Sequence, residues 1–204
     1  MPAAVVVIPA TPLLVPGAAG GAEVLGGTRT AVRAALAPWA GAAGRGRGVA
    51  VLAAGCRARA GRLRPSLAGA GVADARVPLL ASPATGLGAG ERAGERDVAW
   101  DGVAGTGASV ALLALADAGL DLAAHPVDVV EVPADAAGPQ RAALPAALDR
   151  LGAADVVVAA DLPAPGVDAV LEELARGWRC EEVVVTETGD HLPGRYRVQV
   201  RRPR

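Results

Sequence analysis

The chain has 204 residues, 52% of them hydrophobic, and a formal net charge of −1. This balance excludes a wholly disordered chain, which needs low hydrophobicity and high net charge. It also argues against a general nucleic-acid-binding protein, which usually carries a basic face, and no apolar stretch free of Pro and charge reaches the roughly 18 residues of a membrane span.

The first half of the chain predicts two strands buried on both faces, because residues 3–8 and 48–54 are continuous apolar runs without alternation. Thr28 is the expected N-cap of a helix that Pro38 kinks or ends early. In chain order we expect a strand at 3–8, a helix at 28–43, a strand at 48–54, a short helix at 63–67, a strand at 72–80 and a long loop at 82–105.

The second half alternates helices and strands more clearly. Thr106 is a candidate N-cap, Gly119 a natural helix stop, and Pro165 suits the first turn of a helix. The expected elements are a helix at 106–119, a strand at 127–132, a helix at 139–151, a strand at 154–160, a helix at 165–178 and strands at 182–187 and 195–201.

Strands that alternate with helices predict an α/β fold. We expect a single domain over residues 1–204, with a mostly parallel central sheet and helices on both of its faces. The last two strands are candidates for antiparallel edge strands. In the last one, Tyr196, Val198 and Val200 alternate with polar residues, so one of its faces is expected to meet water.

The cysteines and the N-terminal segment indicate a cytoplasmic protein. Cys56 and Cys180 are the only cysteines, and without a CxxC spacing they indicate neither a zinc site nor a disulfide framework. We expect two reduced thiols. Residues 1–27 lack the basic region of a signal peptide, and prolines interrupt their apolar run.

Candidate functional residues follow the predicted strands, because open α/β sheets bind ligands beyond the carboxyl ends of their strands. Ala10 and Thr11 follow the first strand and Cys56 follows the second, so these three form the candidate ligand pocket. The best polar cluster lies near the closing turn and is the candidate catalytic group: His191, Glu187 and Asp190.

Each candidate has a structural alternative. His191 with its acids would serve as a general acid/base or as a pair of metal ligands, but turn preferences favour an exposed polar turn. Cys56 would be a nucleophile only with a nearby base, so a small buried hydrophobe is favoured. Thr11 would bind a ligand hydroxyl or phosphate, and it is equally a turn residue. His125 is favoured as a loop histidine at the opposite end of the sheet.

Two glycine-rich segments precede helices, whose N-termini attract phosphate. Residues 20–28 read GGAEVLGGT and lack the Gly-Lys-Ser/Thr ending of a P-loop. Residues 102–107 read GVAGTG, which is not the dinucleotide-binding spacing. With 27 glycines in the chain, both patterns are weak indications of phosphate binding.

The C-terminal end is rich in arginine. Contact with nucleic acid is one interpretation of its five arginines, Arg195, Arg197, Arg201, Arg202 and Arg204. The favoured interpretation is that these charges protect an exposed edge strand from edge-to-edge aggregation.

The opening VVVIPATPLLVPG, followed by a helix and the strand GVAVLAAG, resembles the start of the class III extradiol dioxygenase B-subunit family (LigB-like, with its MEMO-like relatives). It is more narrowly similar to the alanine-rich actinobacterial members, and the absence of Lys, Asn and Phe fits a high-GC bacterial genome. The helix ending in AG before HPVDVVEV and the closing strand after a Pro-Gly turn are similar as well. The resemblance implies an aromatic ring-opening dioxygenase ancestry.

The chain departs from this family at the metal site. The resemblance implies a non-haem Fe(II) centre of two His and one carboxylate, with the first His after strand one in a pattern like P-H-P-P. Ala10 stands there, and no His occurs at residues 55–57. Alanine offers no lone pair to iron. No metal-ligating residues and no cofactor are therefore expected, and Fe(II) would be needed only if the family chemistry survives.

Two hypotheses follow. The first is a divergent dioxygenase-like protein that is inactive or acts on another small substrate. The alternative is a non-catalytic small-ligand-binding or protein-interaction domain. The expected partner is a small molecule, with neither nucleic acid nor membrane. Because enzymes of this class commonly work as oligomers, the resemblance also implies a homo-oligomer or a partner subunit.

Overall fold

The structure is a computed structural model that describes residues 1–43, 48–81, 99–125, 127–135, 144–161, 164–189 and 192–204. Up to residue 81, the elements are β1 (Ala4–Pro9), α1 (Gly26–Ala43), β2 (Val49–Gly55), β3 (Arg59–Gly61), β4 (Leu63–Arg64) and α2 (Pro78–Ala81). From residue 99 on, they are β5 (Gly102–Val103), α3 (Thr106–Asp117), β6 (Asp128–Pro133), α4 (Leu144–Gly152), β7 (Val156–Asp161), α5 (Pro165–Leu174), β8 (Arg179–Thr186) and β9 (Arg195–Arg202).

Seven strands form one mixed sheet in the order β3-β6-β2-β7-β1-β9-β8. The four central strands β6, β2, β7 and β1 are parallel. β3 is antiparallel to β6 at one edge, and β9 is antiparallel to both β1 and β8 at the other. β4 and β5 form a separate parallel pair. The predicted α/β fold, with a mostly parallel sheet and antiparallel strands at the C-terminal end, is confirmed.

Helices cover both faces of the central strands, which explains their continuous apolar sequences. In β1, Val6 and Ile8 pack with residues of α1 and α3. Val5 and Val7 point to the other face and pack with residues of α4 and α5. None of the helices in the described ranges is both long enough and apolar enough to cross a membrane.

The helix ends differ in detail from those that the sequence predicts. α1 begins at Gly26 rather than Thr28, and it continues to Ala43 with Pro38 inside it. The N-cap of α3 is Gly105 rather than Thr106. The predicted stop after α3 is confirmed, because Gly119 has a φ of +100°, which disfavours residues with a Cβ.

Two predicted elements between residues 63 and 80 are wrong. Residues 63–67 contain the short strand β4 instead of a helix, and residues 72–80 form a 3₁₀ turn and α2 instead of a strand. The carboxylate of Asp74 accepts hydrogen bonds from Ser66 Oγ at 2.9 Å and from the N–H of Leu67 at 3.1 Å. These bonds fold the segment back on itself. Most of the predicted loop, residues 82–98, lies outside the described residues.

The arginine-rich strand β9 is not at the edge of the sheet. It lies between β1 and β8, so the interpretation of its arginines as protection of an edge strand is wrong. The predicted alternation is confirmed, since Tyr196 and Val198 are buried while Arg195 and Arg197 are exposed. The strand that forms this edge is β8.

Candidate functional site

The carboxyl ends of the parallel strands meet at one edge of the sheet, called the carboxyl edge below. Pro9 is aligned with Asp161, and Gly55 is aligned with Pro133. β8 also runs parallel to β1, because both are antiparallel to β9. Glu187, which follows β8, therefore belongs to the same edge as the segments after β1, β2, β6 and β7.

Ala10 is buried at the carboxyl edge beneath the first turn of α3, with an exposed fraction of 5%. A Cβ added to Gly107 of α3 would lie 3.6 Å from the Cβ of Ala160, 3.7 Å from that of Ala53 and 3.9 Å from that of Ala10. Methyl groups from β2, from β7 and from the residue after β1 thus form the surface on which α3 begins. The side chain of Ala10 is part of this packing and offers no ligand atom.

Thr11 shapes the turn after β1. It is the N-cap of the 3₁₀ turn Pro12–Leu14, and its Oγ1 accepts a hydrogen bond from the N–H of Leu13 at 3.4 Å. Its side chain is half-buried. Of the two roles that the sequence leaves open, the structure provides contacts for the turn residue.

Cys56 is exposed at the end of β2, so the prediction of a buried cysteine is wrong. The chain turns there into β3, which begins at Arg59. The hydrogen bond from Arg59 to Glu131 raises the pKa of its guanidinium, burial lowers it, and the electrostatic effects of the neighbouring Glu131 and Cys56 raise it further. The structure therefore brings Cys56, Arg59 and Glu131 together at the carboxyl edge.

Glu131 is the residue of this edge that sequence reasoning missed. It lies in β6 and is 2% exposed. Its Oε2 accepts a hydrogen bond from Arg59 Nε at 2.5 Å, and its Oε1 accepts one from the N–H of Gly105 at 2.6 Å. A Cβ added to Gly55 or Gly105 would lie 3.0 or 3.1 Å from the carboxylate oxygens, so both glycines make room for it. The sequence signal that could have identified it is an acidic residue inside an otherwise apolar strand, between Val130 and Val132.

Glu187 of the predicted catalytic cluster is bound to the start of α1. Its Oε1 accepts hydrogen bonds from the N–H of Thr28 at 2.6 Å and from Thr28 Oγ1 at 2.7 Å. A Cβ added to Gly27 would lie 3.2 Å from the same oxygen. A carboxylate at a helix N-terminus satisfies free N–H groups and interacts favourably with the helix dipole. These contacts make Glu187 a helix-capping group.

The other residues of that cluster, Asp190 and His191, lie outside the described residues. His125 is half-buried near the start of β6, at the opposite end of the sheet, and its Nδ1 lies 3.2 Å from the carbonyl oxygen of Asp121. This position agrees with the expected loop histidine. Among the predicted catalytic residues, the structure therefore places only Glu187.

Both glycine-rich segments lead to helix N-termini that already hold a carboxylate. Residues 20–28 lead into α1, where Glu187 accepts from the N–H of Thr28, and residues 102–107 lead into α3, where Glu131 accepts from that of Gly105. A phosphate would have to displace these internal carboxylates. The geometry therefore does not support phosphate binding through either of these N–H groups.

Tyr196 lies buried within the electrostatic influence of Glu187. It is the only tyrosine of the chain and is 7% exposed. Burial raises the pKa of its hydroxyl, and the negative charge of Glu187 raises it further. A group whose pKa is raised on folding contributes stability below its unfolded pKa, about 10 for tyrosine, and loses that contribution as the pH rises through the folded value.

We expect the tyrosinate absorbance of the folded protein to appear at higher pH than that of the denatured chain. Glu187→Gln removes the negative charge and should move the folded midpoint to lower pH. Glu182→Gln is the matched control, because Glu182 is three residues from Val185, which pairs with Tyr196, and so lies on the other face of β8. Equal midpoints for the Glu187 variant and the parent would contradict this electrostatic contact.

The residues at the carboxyl edge do not fit the iron centre that the resemblance implies. Ala10 carries no donor atom, Gly55 to Arg57 include no His, and Glu131 is bound to Arg59 and to α3. Across the part of the chain that the structure describes, no three His, Cys, Asp or Glu side chains are grouped so that they could hold a metal ion.

An open groove lies on the face of the sheet that α4 and α5 cover, between β3, β6 and α4, and is called the edge groove below. Its volume is about 660 Å³. Two charged residues of α4, Asp149 and Arg150, lie exposed at its rim, and the ion pair of Arg59 and Glu131 also contributes to its lining. Its apolar lining consists of small side chains: Ala58, Ala60, Val130, Val132, Ala146, Ala147 and Ala153.

Comparisons with known proteins add no relative to this description. Nothing matches the chain among family models, among curated proteins or among solved structures.

Proposed function

We propose that this chain is a divergent LigB-like protein that does not open aromatic rings with Fe(II) and that works as a non-catalytic small-ligand-binding domain. The observation that supports this proposal is that the carboxylates of the carboxyl edge already bind other parts of the chain. Glu131 and Glu187 bind the N-termini of α3 and α1, and Ala10 packs beneath α3. The edge groove, which borders this edge at Arg59 and Glu131, has room for a ligand.

The groove favours an uncharged, largely apolar molecule with a hydroxyl group. Small-molecule sites typically have volumes of about 300–1,000 Å³ and a mostly apolar lining with a few polar groups. At the rim, a ligand hydroxyl can donate a hydrogen bond to Asp149 and accept one from Arg150. Hydroxylated aromatic molecules satisfy these conditions, and they are also the substrate class that the resemblance implies.

Naphthol, an uncharged fluorescent aromatic alcohol, is a suitable probe. Ala146→Phe places a large ring at an exposed position of the groove and should weaken naphthol binding about tenfold or more, which corresponds to about 1.4 kcal/mol. Ala34→Phe makes the same change at an exposed position of α1 and should leave the affinity unchanged.

Two outcomes would contradict the proposal. If the Ala146 and Ala34 variants bound naphthol as tightly as the parent, the edge groove would not be the binding site. If the protein retained stoichiometric iron after anaerobic incubation with Fe(II) and then consumed oxygen with a catechol, it would be an active dioxygenase.

A further inference from the structure

The strand β8 forms a long open edge of the sheet. It has eight residues and pairs with β9 on one side only. Its first six residues are all exposed, and Val183 and Val184 have exposed fractions of 53% and 49%. An exposed edge strand presents unpaired N–H and C=O groups that another strand can pair with. The edge at β3, in contrast, has only three residues.

Residues of its own hairpin hold both glutamates of β8. Glu181 Oε2 accepts a hydrogen bond from Arg202 at 2.9 Å, and its Oε1 lies 3.8 Å from Arg179, so its charge is compensated. Glu182 keeps its charge and accepts a hydrogen bond from the neutral Gln199 at 2.7 Å. The arginines therefore leave one of the two glutamates, Glu182, to repel an acidic residue on an approaching strand.

We propose that β8 is a homodimerisation edge, at which two copies of this chain pair their β8 strands antiparallel about a two-fold axis at Val183. The two seven-stranded sheets then become one continuous sheet. A two-fold interface is self-complementary, so each contact occurs twice. The pairing covers the exposed valines and satisfies the free backbone groups of both edges.

Charge complementarity selects this register. With the axis at Val183, Arg179 lies opposite Glu187 of the second copy, and Glu181 and Glu182 lie opposite Val185 and Val184. Moving the axis to Glu182 would set two copies of Glu182 opposite each other, and moving it to Val184 would set Glu181 opposite Glu187. Like charges that are directly opposite across strands are destabilising.

The basic end of β8 also has space for the acidic end of the second copy. A cavity of about 610 Å³ lies there, lined by Trp178, Arg179, Cys180, Pro203 and Arg204. In the proposed register, Glu187 and Thr188 of the second copy approach this cavity. Arg179 at the start of β8 and Glu187 just after its end carry opposite charges, and Glu187 can face Arg179 of the second copy while its Oε1 stays bound to Thr28. These opposite charges favour a second copy of this chain over an unrelated strand.

Engineered disulfides test the register directly. Opposed residues of antiparallel strands have Cα atoms about 4.5–5.5 Å apart, within disulfide range. Thr186→Cys in a Cys56→Ser background should form a reducible covalent dimer through Cys180 of the other copy. Val183→Cys, with Cys56 and Cys180 both changed to Ser, should also crosslink. Opposed residues in antiparallel strands alternate between backbone-hydrogen-bonded and non-hydrogen-bonded pairs, and these two disulfides test one pair of each kind.

The controls use cysteines that the proposed pairing keeps apart. Cys56→Ser alone leaves Cys180 opposite Thr186, so it should not crosslink. Val103→Cys in the Cys56→Ser, Cys180→Ser background places a thiol at an equally exposed valine outside β8, with an exposed fraction of 46%, and should also remain monomeric under denaturing, non-reducing conditions.

Light scattering and sedimentation of the unmodified chain provide the second measurement. We expect a dimer whose dissociation constant rises tenfold or more in Val183→Lys, which sets two cations opposite each other, and is unchanged in Val103→Lys. Circular dichroism verifies that both variants are folded. A parent that sediments as a monomer at all concentrations, or crosslinking no greater than in the controls, would overturn the proposal.

Discussion

Replacing Glu131 by Gln is expected to lower the free energy of unfolding by roughly 3 kcal/mol, the lower end of the range for breaking a buried ion pair. The carboxylate is 2% exposed and accepts hydrogen bonds from Arg59 and from the N-terminus of α3. Glutamine removes the charge and presents an amide group, which donates rather than accepts, to one of these partners. Arg59 retains some hydration because its side chain is 29% exposed, which limits the loss.

Denaturant unfolding of Glu131→Gln beside Glu173→Gln tests this expectation. Glu173 pairs with Arg176 at the surface, where both side chains are more than half exposed, so its loss should change stability by less than about 1 kcal/mol. A double variant with Leu at positions 59 and 131 should be more stable than Glu131→Gln, because it leaves no unpaired charge. Equal stability of Glu131→Gln and Glu173→Gln would show that the buried pair contributes no more than a surface pair.

The central strands could be predicted from the sequence because a strand that is buried on both faces has a continuous apolar run. Strands β1, β2, β6 and β7 have helices on both faces and are therefore continuously apolar. The segment from Arg59 to Arg64 could not be assigned in this way, since its sequence RAGRLR contains no apolar run and its pairing depends on β6 and β5. Asp74 decided the fold of the next segment through contacts with Ser66 and Leu67, which no periodicity encodes.

The contacts of the candidate site depend on longer separations. Glu131 binds Gly105, 26 residues away, and Glu187 binds Thr28, 159 residues away. The sequence correctly directed attention to Glu187 as a polar residue near the closing turn. Its partner depends on β8 and β1 running parallel with α1 packed against them, which is a property of the complete sheet. Local spacing could not distinguish a capping carboxylate from a catalytic one.

Gly166→Ala is the second substitution with a large expected effect. Gly166 lies in the first turn of α5, and its N–H donates a hydrogen bond to the carbonyl oxygen of Ala134 at 3.0 Å. A Cβ at this position would lie 2.0 Å from the carbonyl oxygen of Pro133. Because Pro133 is paired in β6 with Gly55, the strand end cannot move without disturbing the carboxyl edge. We expect a loss of about 3 kcal/mol or more, at the upper end of overpacking effects.

Gly41→Ala is the matched control, since a Cβ there would meet nothing within 4 Å. Within α1, alanine should instead stabilise the protein by about 0.5–1 kcal/mol, because glycine loses more conformational entropy on forming a helix. The same substitution is therefore expected to have opposite signs at two helical glycines. If Gly166→Ala unfolded at the same denaturant concentration as the parent, α5 would have to lie farther from β6 than is indicated by the distance of 2.0 Å between an added Cβ and the carbonyl oxygen of Pro133. A large loss at Gly166 together with a gain at Gly41 would show that this backbone contact fixes α5 against the carboxyl edge.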